Sequence, residues 1–384
     1  SFINQRVWLT CSSPGVDDLK VLDGYAINSG EAAAGLVNKD VARGWFSGVQ
    51  NNGLMNVNCE VTLDGSTERR GQPFPLTTYT VKREMRIIKN IPVGTSPSAI
   101  VSNSAGTRVY VTYAPGNSIT VIDTDRNEVI HTITNIGELK ARPQLTISND
   151  GSRLYVSLAH AVHCINTTSY ATILTISKRY ANALALNGPG THLYVTVSFY
   201  DQLPEAKNYV VRYNALNGST LANLGNNFWE WSSALVNPEG TRLYLGSGWG
   251  TYMMNISSSQ YLPENVPGRV LGTMAYSQNS RMGSRLYLPV ITENMIAISN
   301  TDRLTNIKKL IGMSAPHSIA IDPTTHMAYF TQQTANTVSI INTLTEEVVG
   351  QITGFNRPEG ITILPNGVIY VANNENNTVS VVSN

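Results

Sequence analysis

The chain has 384 residues with a formal net charge of +1, and 42% of them are hydrophobic, so it can bury a sizeable core. Only 14% of the residues are charged, against about 25% in a typical globular protein, and no run of Lys and Arg occurs, which excludes the basic surface of a nucleic-acid binder. No apolar stretch approaches the roughly 18 residues of a membrane-spanning helix, so the sequence predicts neither a nucleic-acid partner nor a membrane span.

Residues 1–80 contain no repeat and predict a small, separate β-rich domain, either a sandwich or an α+β module. Strand-like runs read QRVWLTC, LMNVNCEVTL and TTYTVKR, and a helix is expected in EAAAGLVNKDVARGWF. Cys11 and Cys59 each lie in one of these strands. A Cys11–Cys59 disulfide is expected if the protein is exported, and two buried thiols are expected if it stays in a reducing compartment. Cys164 stands alone and is predicted to be buried and unpaired.

Residues 81–384 carry an internal repeat, which decides the predicted fold. A turn followed by a small apolar–Tyr–apolar strand recurs, as in GTRVYVT, GSRLYVS and GTRLYLG. The repeated tyrosines are Tyr110, Tyr155, Tyr194, Tyr244, Tyr287, Tyr329 and Tyr370. A period of roughly 40 to 45 residues with several short strands per unit is typical of a β-propeller. Seven copies therefore predict an all-β, seven-bladed β-propeller that follows the N-terminal domain in the sequence.

Each predicted blade has four strands, which we call a to d in chain order. In the first blade they read SAIVS, RVYVTY, SITVID and EVIHTI, with Gly, Pro, Asn and Asp at the junctions. The last blade lacks a strand d after TVSVVSN. The run EMRIIKNI at 84–91 aligns with the strand-d runs of other blades. We therefore expect it to supply the missing outer strand, which closes the ring and pairs an open sheet edge.

The repeats also resemble a known family. The segments RVYVTYAPGNSITVIDTDRNEVIHTI, TVSIINTLTEEVVGQI and IYVANNENNTVSVV are similar to the YVTN-type β-propeller repeats of bacterial and archaeal surface and periplasmic proteins. The resemblance covers about residues 84–384. It implies a propeller at the bacterial cell surface, in the periplasm or outside the cell. It implies no single activity, because the family contains binding proteins, surface-layer components and a few lyase-like or lactonase-like enzymes.

Propeller geometry places the d–a and b–c loops on one face, where ligand sites of toroidal folds are usually found. The sequence puts His317, Arg357, Glu359 and Arg142 on this face. If the protein is an enzyme, we expect these residues to act as acid–base or anion-holding groups. His317 is better explained, however, as a loop histidine with a backbone partner. No metal-ligand spacing, phosphate loop or nucleophile elbow is present, so no metal or cofactor is predicted.

Aromatic residues are concentrated in two loops of the same predicted face, in NNFWEWSS and GWGTY. The residues predicted to bind a ligand are Phe228, Trp229, Trp231, Trp249 and Tyr252, with Tyr180 from another d–a loop. Exposed flat rings suit sugar rings or protein partners. The alternative is that some of them pack between blades or plug the channel, since tryptophan is usually well buried.

Three functions follow from these patterns. The preferred one is a non-enzymatic recognition or scaffolding module of the bacterial cell exterior, with a glycan or protein partner on the d–a/b–c face. The second is a lyase or lactone hydrolase acting at the channel mouth. The third is a structural component of a surface array or appendage. Convergent polar groups in a deep pocket would favour the enzyme, a flat aromatic platform would favour recognition, and a mouth covered by the N-terminal domain would favour the structural role.

Overall fold

The computed structural model describes residues 3–34, 37, 39, 45, 49, 53–62, 64, 66–69, 72–80, 85–139, 143–178, 180–197, 208–227, 231–278 and 283–383. The chain divides into two compact units, Ser1–Glu84 and Met85–Ser383. Nearly all regular structure in the described residues is β-strand, and no helix among them is long and apolar enough to cross a membrane.

The described residues of the first unit form a five-stranded antiparallel sheet and one short helix. Its elements are β1 (Arg6–Ser13), β2 (Val16–Ala26), α1 (Ser29–Ala34), β3 (Leu54–Val61), β4 (Gln72–Pro73) and β5 (Thr77–Thr80). The strand order is β2-β1-β3-β4, and β5 also pairs with β3. Val7, Leu22 and Ile27 form its buried core. The helix α1 covers the beginning of the run predicted as helix at 31–46, most of which lies outside the described residues.

The predicted disulfide between Cys11 and Cys59 is not formed, because all three cysteines are free thiols. The register of β1 and β3 places Cys59 opposite Leu9 and Cys11 opposite Val57. Such diagonal neighbours are about 7–8 Å apart, whereas a disulfide usually joins Cα atoms about 4.4–6.8 Å apart. Burial raises the pKa of both thiols. Cys164 is buried and unpaired, as predicted.

The second unit contains seven four-stranded antiparallel sheets among its described residues, and we number them sheets 1 to 7. Sheet 1 comprises β7 (Pro97–Ser102), β8 (Arg108–Tyr113), β9 (Ile119–Asp123) and β10 (Glu128–Ile133). Sheet 2 comprises β11 (Leu145–Ile147), β12 (Arg153–Ser157), β13 (Ala161–Asn166) and β14 (Thr172–Ser177). Sheet 3 comprises β15 (Ala181–Leu186), β16 (His192–Val197), β17 (Asn208–Asn214) and β18 (Thr220–Asn227).

The remaining sheets follow the same order. Sheet 4 comprises β19 (Trp231–Val236), β20 (Arg242–Ser247), β21 (Gly250–Asn255) and β22 (Gln260–Pro267). Sheet 5 comprises β23 (Ala275–Ser277), β24 (Arg285–Val290), β25 (Met295–Asn300) and β26 (Asn306–Ile311). Sheet 6 comprises β27 (Pro316–Asp322), β28 (Met327–Gln332), β29 (Thr337–Asn342) and β30 (Glu347–Thr353). Sheet 7 comprises β31 (Pro358–Ile363), β32 (Ile369–Asn373), β33 (Thr378–Ser383) and β6 (Arg86–Pro92).

Sheet 7 is completed by the two ends of the unit, as the sequence predicted. β6 pairs antiparallel with β33, from Arg86 opposite Ser383 to Pro92 opposite Thr378. Ser380 Oγ also donates a hydrogen bond of 2.6 Å to the Asn90 side chain. The edge of β33 is therefore covered within the chain, which removes one site of edge-to-edge pairing with other molecules.

The repeated tyrosine connects each of several sheets to the next one. Tyr155 of sheet 2 donates to the Ala215 carbonyl of sheet 3 at 2.7 Å, and Tyr244 of sheet 4 donates to the Thr301 carbonyl of sheet 5 at 2.9 Å. Tyr370 of sheet 7 donates to Asn127 of sheet 1. Each acceptor lies in a c–d turn. The tyrosine ring thus fills the space between two sheets while its hydroxyl satisfies a polar group of the next one.

Candidate functional site

A cavity of about 350 Å³ opens where the inner strands of sheets 1, 2, 5, 6 and 7 begin. Because consecutive strands in each sheet are antiparallel neighbours, the d–a and b–c loops emerge on this same side. Glycines allow close approach here. A Cβ on Gly272 would lie 2.0 Å from the His317 carbonyl oxygen, and one on Gly360 would lie 2.3 Å from the Ser98 carbonyl oxygen. The inner strands therefore pack backbone to backbone around the cavity.

Three of the four polar residues that the sequence placed on this face line the cavity together. They are His317, Arg357 and Glu359. Arg142 lies outside the described residues, although its neighbour Pro143 is part of the lining. These residues of sheets 6 and 7 lie together because they occupy equivalent positions at the beginning of strand a.

Glu359 is the most enclosed charged group of the cavity, with 12% of its side chain exposed, whereas Arg357 is 48% exposed. Glu359 Oε1 accepts a hydrogen bond of 3.3 Å from Gln333 Nε2. The Arg357 guanidinium lies 3.9 Å from Glu359 and 3.9 Å from Glu375, which is ion-pair distance but longer than a hydrogen bond. Arg357 thus keeps guanidinium donors available at the mouth of the cavity.

His317 is held by its neighbours on the cavity wall. Its Nδ1 lies 3.0 Å from the Ser318 hydroxyl oxygen, which also accepts a hydrogen bond of 3.4 Å from the Thr273 amide. This contact orients the imidazole ring, which forms part of the polar lining of the cavity. The lining thus offers carboxylate, guanidinium, imidazole and hydroxyl groups within one concave space, an arrangement suited to binding a polar ligand.

Other polar lining residues were missed or mentioned only in passing by the sequence reasoning. Gln144, Thr273, Gln333 and Asn374 all line the cavity. A repeat signal for two of them was present, because Gln333 and Asn374 each follow the repeated tyrosine of their sheet by four residues. The repeat therefore marks positions that face the cavity even where the residue type varies.

Trp231 is not part of an exposed patch, and that prediction was wrong. Its exposed fraction is 0%. The indole packs against Tyr261 with ring centroids 6.0 Å apart and meets Tyr252 edge-on at 5.7 Å. It belongs to a core cluster that also includes Tyr194 of sheet 3. A large apolar ring at the start of strand a gains more by packing between sheets than by facing water.

Trp249, in contrast, is 69% exposed. It lies in the b–c loop of sheet 4, and its carbonyl accepts a hydrogen bond of 3.0 Å from the Gly268 amide in the d–a connection. That connection continues to Gly272 and Thr273 in the cavity lining. The exposed indole and the cavity therefore open on the same side of the unit.

The other predicted aromatic positions do not form a common surface. Tyr180 is half-buried, adopts a positive φ of 63° and packs against the core cluster between sheets 2 and 3. Tyr252 is half-buried against Trp231. Phe228 and Trp229 lie outside the described residues. Within the described residues, no three His, Cys, Asp or Glu side chains gather into a group that could hold a metal ion.

One family model matches the chain, the NHL repeat, over residues 355–382. No curated protein matches. Among solved structures, Kuenenia stuttgartiensis hydrazine synthase is similar with a TM-score of 0.57 at 16% identity, covering 75% of this chain and 96% of that one. The β-propeller domain of Myceliophteria thermophila Cps50 (Swd1) has a TM-score of 0.63 at 12% identity, covering 78% of this chain and 100% of that one.

At identities this low the similarity shows a shared fold only. The matched NHL segment coincides with the strands β31, β32 and β33 of sheet 7. Taken with the tyrosine repeat and the series of four-stranded sheets, these similarities identify the chain as a β-propeller repeat protein.

Proposed function

We propose that this protein is a non-enzymatic recognition and scaffolding module of the bacterial cell exterior, which binds a protein or glycan partner on the d–a/b–c face. In this proposal the seven sheets are the blades of one seven-bladed propeller of the YVTN type, and residues 1–80 form a separate domain. The exterior location rests on the resemblance of the repeats to surface and periplasmic proteins.

The observation that carries the proposal is the combination of a polar cavity and an exposed indole on one face. The cavity places Arg357 donors, the Glu359 carboxylate and neutral amides in a concave space. A partner could place a polar group there while lying over Trp249, which offers a large flat contact at small entropic cost. A scaffold needs such a face, whereas a purely structural propeller needs only its packed interior.

The test is to screen the intact protein against glycan and protein arrays and to titrate the hits with matched variants. Trp249→Ala and Glu359→Gln should each weaken binding about 5- to 100-fold, as expected for an interface aromatic or a buried polar contact. Leu216→Ala is the control, because Leu216 is an exposed apolar residue in a c–d turn, on the opposite side. Equal weakening by all three variants, or no effect of Trp249→Ala and Glu359→Gln, would contradict the proposal.

A second candidate, a lyase or lactone hydrolase, is favoured by one observation. His317, Arg357 and Glu359 line the same cavity, which meets the requirement that acid–base groups converge on a substrate. Turnover of lactones and of uronate-containing polysaccharides would be measured for the unmodified protein and for His317→Ala. Turnover that the variant abolishes would replace the recognition proposal, and absence of turnover would remove the enzyme from consideration.

A further inference from the structure

The polar cavity on the d–a/b–c face continues into a second, smaller cavity of about 160 Å³. The two cavities share three lining residues, Gln144, Leu145 and Thr273. Strand a of each sheet runs from the d–a side toward the a–b side. Leu186 and Val236, which line only the second cavity, are the last residues of the strands β15 and β19. The second cavity is therefore the lower one, further from the channel mouth.

The lower cavity has a mostly apolar wall. Leucines of three sheets contribute to it, together with a methionine from a fourth: Leu145, Leu184, Leu186, Leu235 and Met274. Three of these leucines, Leu145, Leu186 and Leu235, are only half-buried, so apolar surface stays uncovered inside the channel. An apolar cavity of about 150 Å³ can hold a group of benzene size. The lower cavity therefore has room for one aliphatic or aromatic side chain.

A carboxylate with spare acceptor capacity lies between the mouth and the lower cavity. Glu359 is the second residue of β31, and Arg357 precedes that strand at the mouth. Glu359 Oε1 accepts one hydrogen bond of 3.3 Å from Gln333 and is also the oxygen nearest to Arg357. Glu359 Oε2 accepts no hydrogen bond from the described residues. Because a carboxylate has about four acceptor sites, this enclosed group can receive further donors, and a cationic donor binds it most strongly.

We propose that the channel holds the free N-terminal residue of a partner polypeptide, with its ammonium group on Glu359 and an apolar side chain in the lower cavity. The inference rests on the proposed function, because it names the part of the partner that enters the polar cavity. In an N-terminal residue, the ammonium group and the side chain are attached to the same carbon atom. The ammonium can therefore meet Glu359 while the side chain extends past it. A lysine side chain that filled the lower cavity would instead carry its charge into apolar surroundings, which is costly.

Arg357 lies where the partner chain would leave the channel. Its guanidinium is 48% exposed and lies 3.9 Å from both Glu359 and Glu375, so it is beyond hydrogen-bond distance of either carboxylate. It can donate to the first carbonyl groups of the partner. A neutral glycan has neither a positive charge for Glu359 nor an apolar side chain for the lower cavity. Of the two proposed partner classes, the channel therefore favours a polypeptide.

The test is isothermal titration calorimetry of the full chain with the tripeptide Leu-Gly-Gly-amide. Acetylation of its N-terminus removes the charge and keeps the side chain. It should weaken binding about 10- to 100-fold, as expected for loss of a charge-assisted hydrogen bond. Gly-Gly-Gly-amide keeps the ammonium group and removes the side chain. It should also bind about 10- to 100-fold more weakly, as expected for loss of a buried leucine side chain.

A pair of matched variants assigns the ammonium site. Glu359→Gln keeps the shape of the side chain and removes its charge, so it should weaken Leu-Gly-Gly-amide about 10- to 100-fold and remove most of the preference over the acetylated peptide. Glu375→Gln is the control, because Glu375 is 58% exposed and lines neither cavity. It should change binding by less than about 3-fold, as expected for an exposed charge. Thermal unfolding without peptide shows whether each variant folds, and the peptide comparisons with the unmodified protein carry the test if Glu359→Gln does not.

Four results would each overturn the inference: no saturable binding of Leu-Gly-Gly-amide, equal binding of the free and acetylated peptides, equal binding of the leucine and glycine peptides, or equal weakening by the two variants. Failure of the proposed function looks different. Array partners that depend on Trp249 and Glu359 but bind equally well with a blocked N-terminus would refute only the N-terminal inference. Array partners unaffected by Trp249→Ala would contradict the proposed face while leaving the tripeptide result standing.

Discussion

The repeated tyrosine offers a test of how neighbouring sheets are held together, because the structure provides the same residue in two hydrogen-bonding states. Tyr244 is fully buried and donates to the Thr301 carbonyl at 2.9 Å. Tyr287 is equally buried, but its hydroxyl has no hydrogen-bond partner within the described residues. Phenylalanine keeps the ring and removes only the hydroxyl, so it isolates the hydrogen bond from the packing.

We expect Tyr244→Phe to cost about 1–3 kcal/mol, since a buried carbonyl is left unsatisfied, and Tyr287→Phe to be close to neutral or stabilising, since it removes a buried hydroxyl without a partner. A domain of this size loses roughly 2 °C of Tm per kcal/mol. Calorimetric melting should therefore place Tyr244→Phe about 2–6 °C below the unmodified protein and Tyr287→Phe near it. Tyr155→Phe should behave like Tyr244→Phe, because Tyr155 donates to Ala215 at 2.7 Å.

The reasoning would be refuted if Tyr244→Phe and Tyr287→Phe shifted the melting temperature equally, or if Tyr287→Phe were the more destabilising of the two. Either result would mean that the ring alone, and not its hydroxyl, connects one sheet to the next. Because phenylalanine retains the ring in both variants, a difference between them reports on the hydroxyl and not on packing.

Three other outcomes are expected. Trp231→Ala should destabilise the protein by about 3–5 kcal/mol while Trp249→Ala leaves the Tm unchanged, and a similar Tm for the two variants would contradict the assigned burial. Burial raises the pKa of all seven repeated tyrosines, to about 12 for Tyr110, Tyr329 and Tyr370. Their contribution to stability is therefore complete below about pH 10 and is lost as the pH rises toward 12; a Tm unchanged over this range would be inconsistent with it. Thiol titration of the denatured, unreduced protein should find three reactive cysteines, and a count of one would restore the disulfide.

Local sequence patterns determined the strands of the second unit because each strand there is short, rich in apolar residues and bounded by turn residues. The middle strands are buried along nearly their whole length, as in β8 and β9. The strands predicted for the first repeat coincide with β7 to β10 almost residue for residue. The pairing of residues 84–91 with the last strand was also predictable. The last repeat has no strand d of its own, and 84–91 resembles a strand d that no other repeat uses, so pairing the two covers the open edge. The convergence of His317, Arg357 and Glu359 followed from the same repeat geometry.

The environment of individual side chains was decided by the tertiary structure alone, because it depends on segments that are distant in the sequence. Trp231 begins β19 and Trp249 follows β20, so both belong to one strand pair of sheet 4. Their environments are nevertheless opposite, because Trp231 faces the adjoining sheet and Trp249 faces solvent. The register of β1 and β3, which separates Cys11 from Cys59, depends on pairing between distant segments. Strand pairing also places Arg212 opposite Tyr194, at a position that is occupied by an apolar residue or a cysteine in the other six sheets. Sequence periodicity specifies which strands form, whereas the surroundings of each side chain are set by the residues that the next sheet supplies.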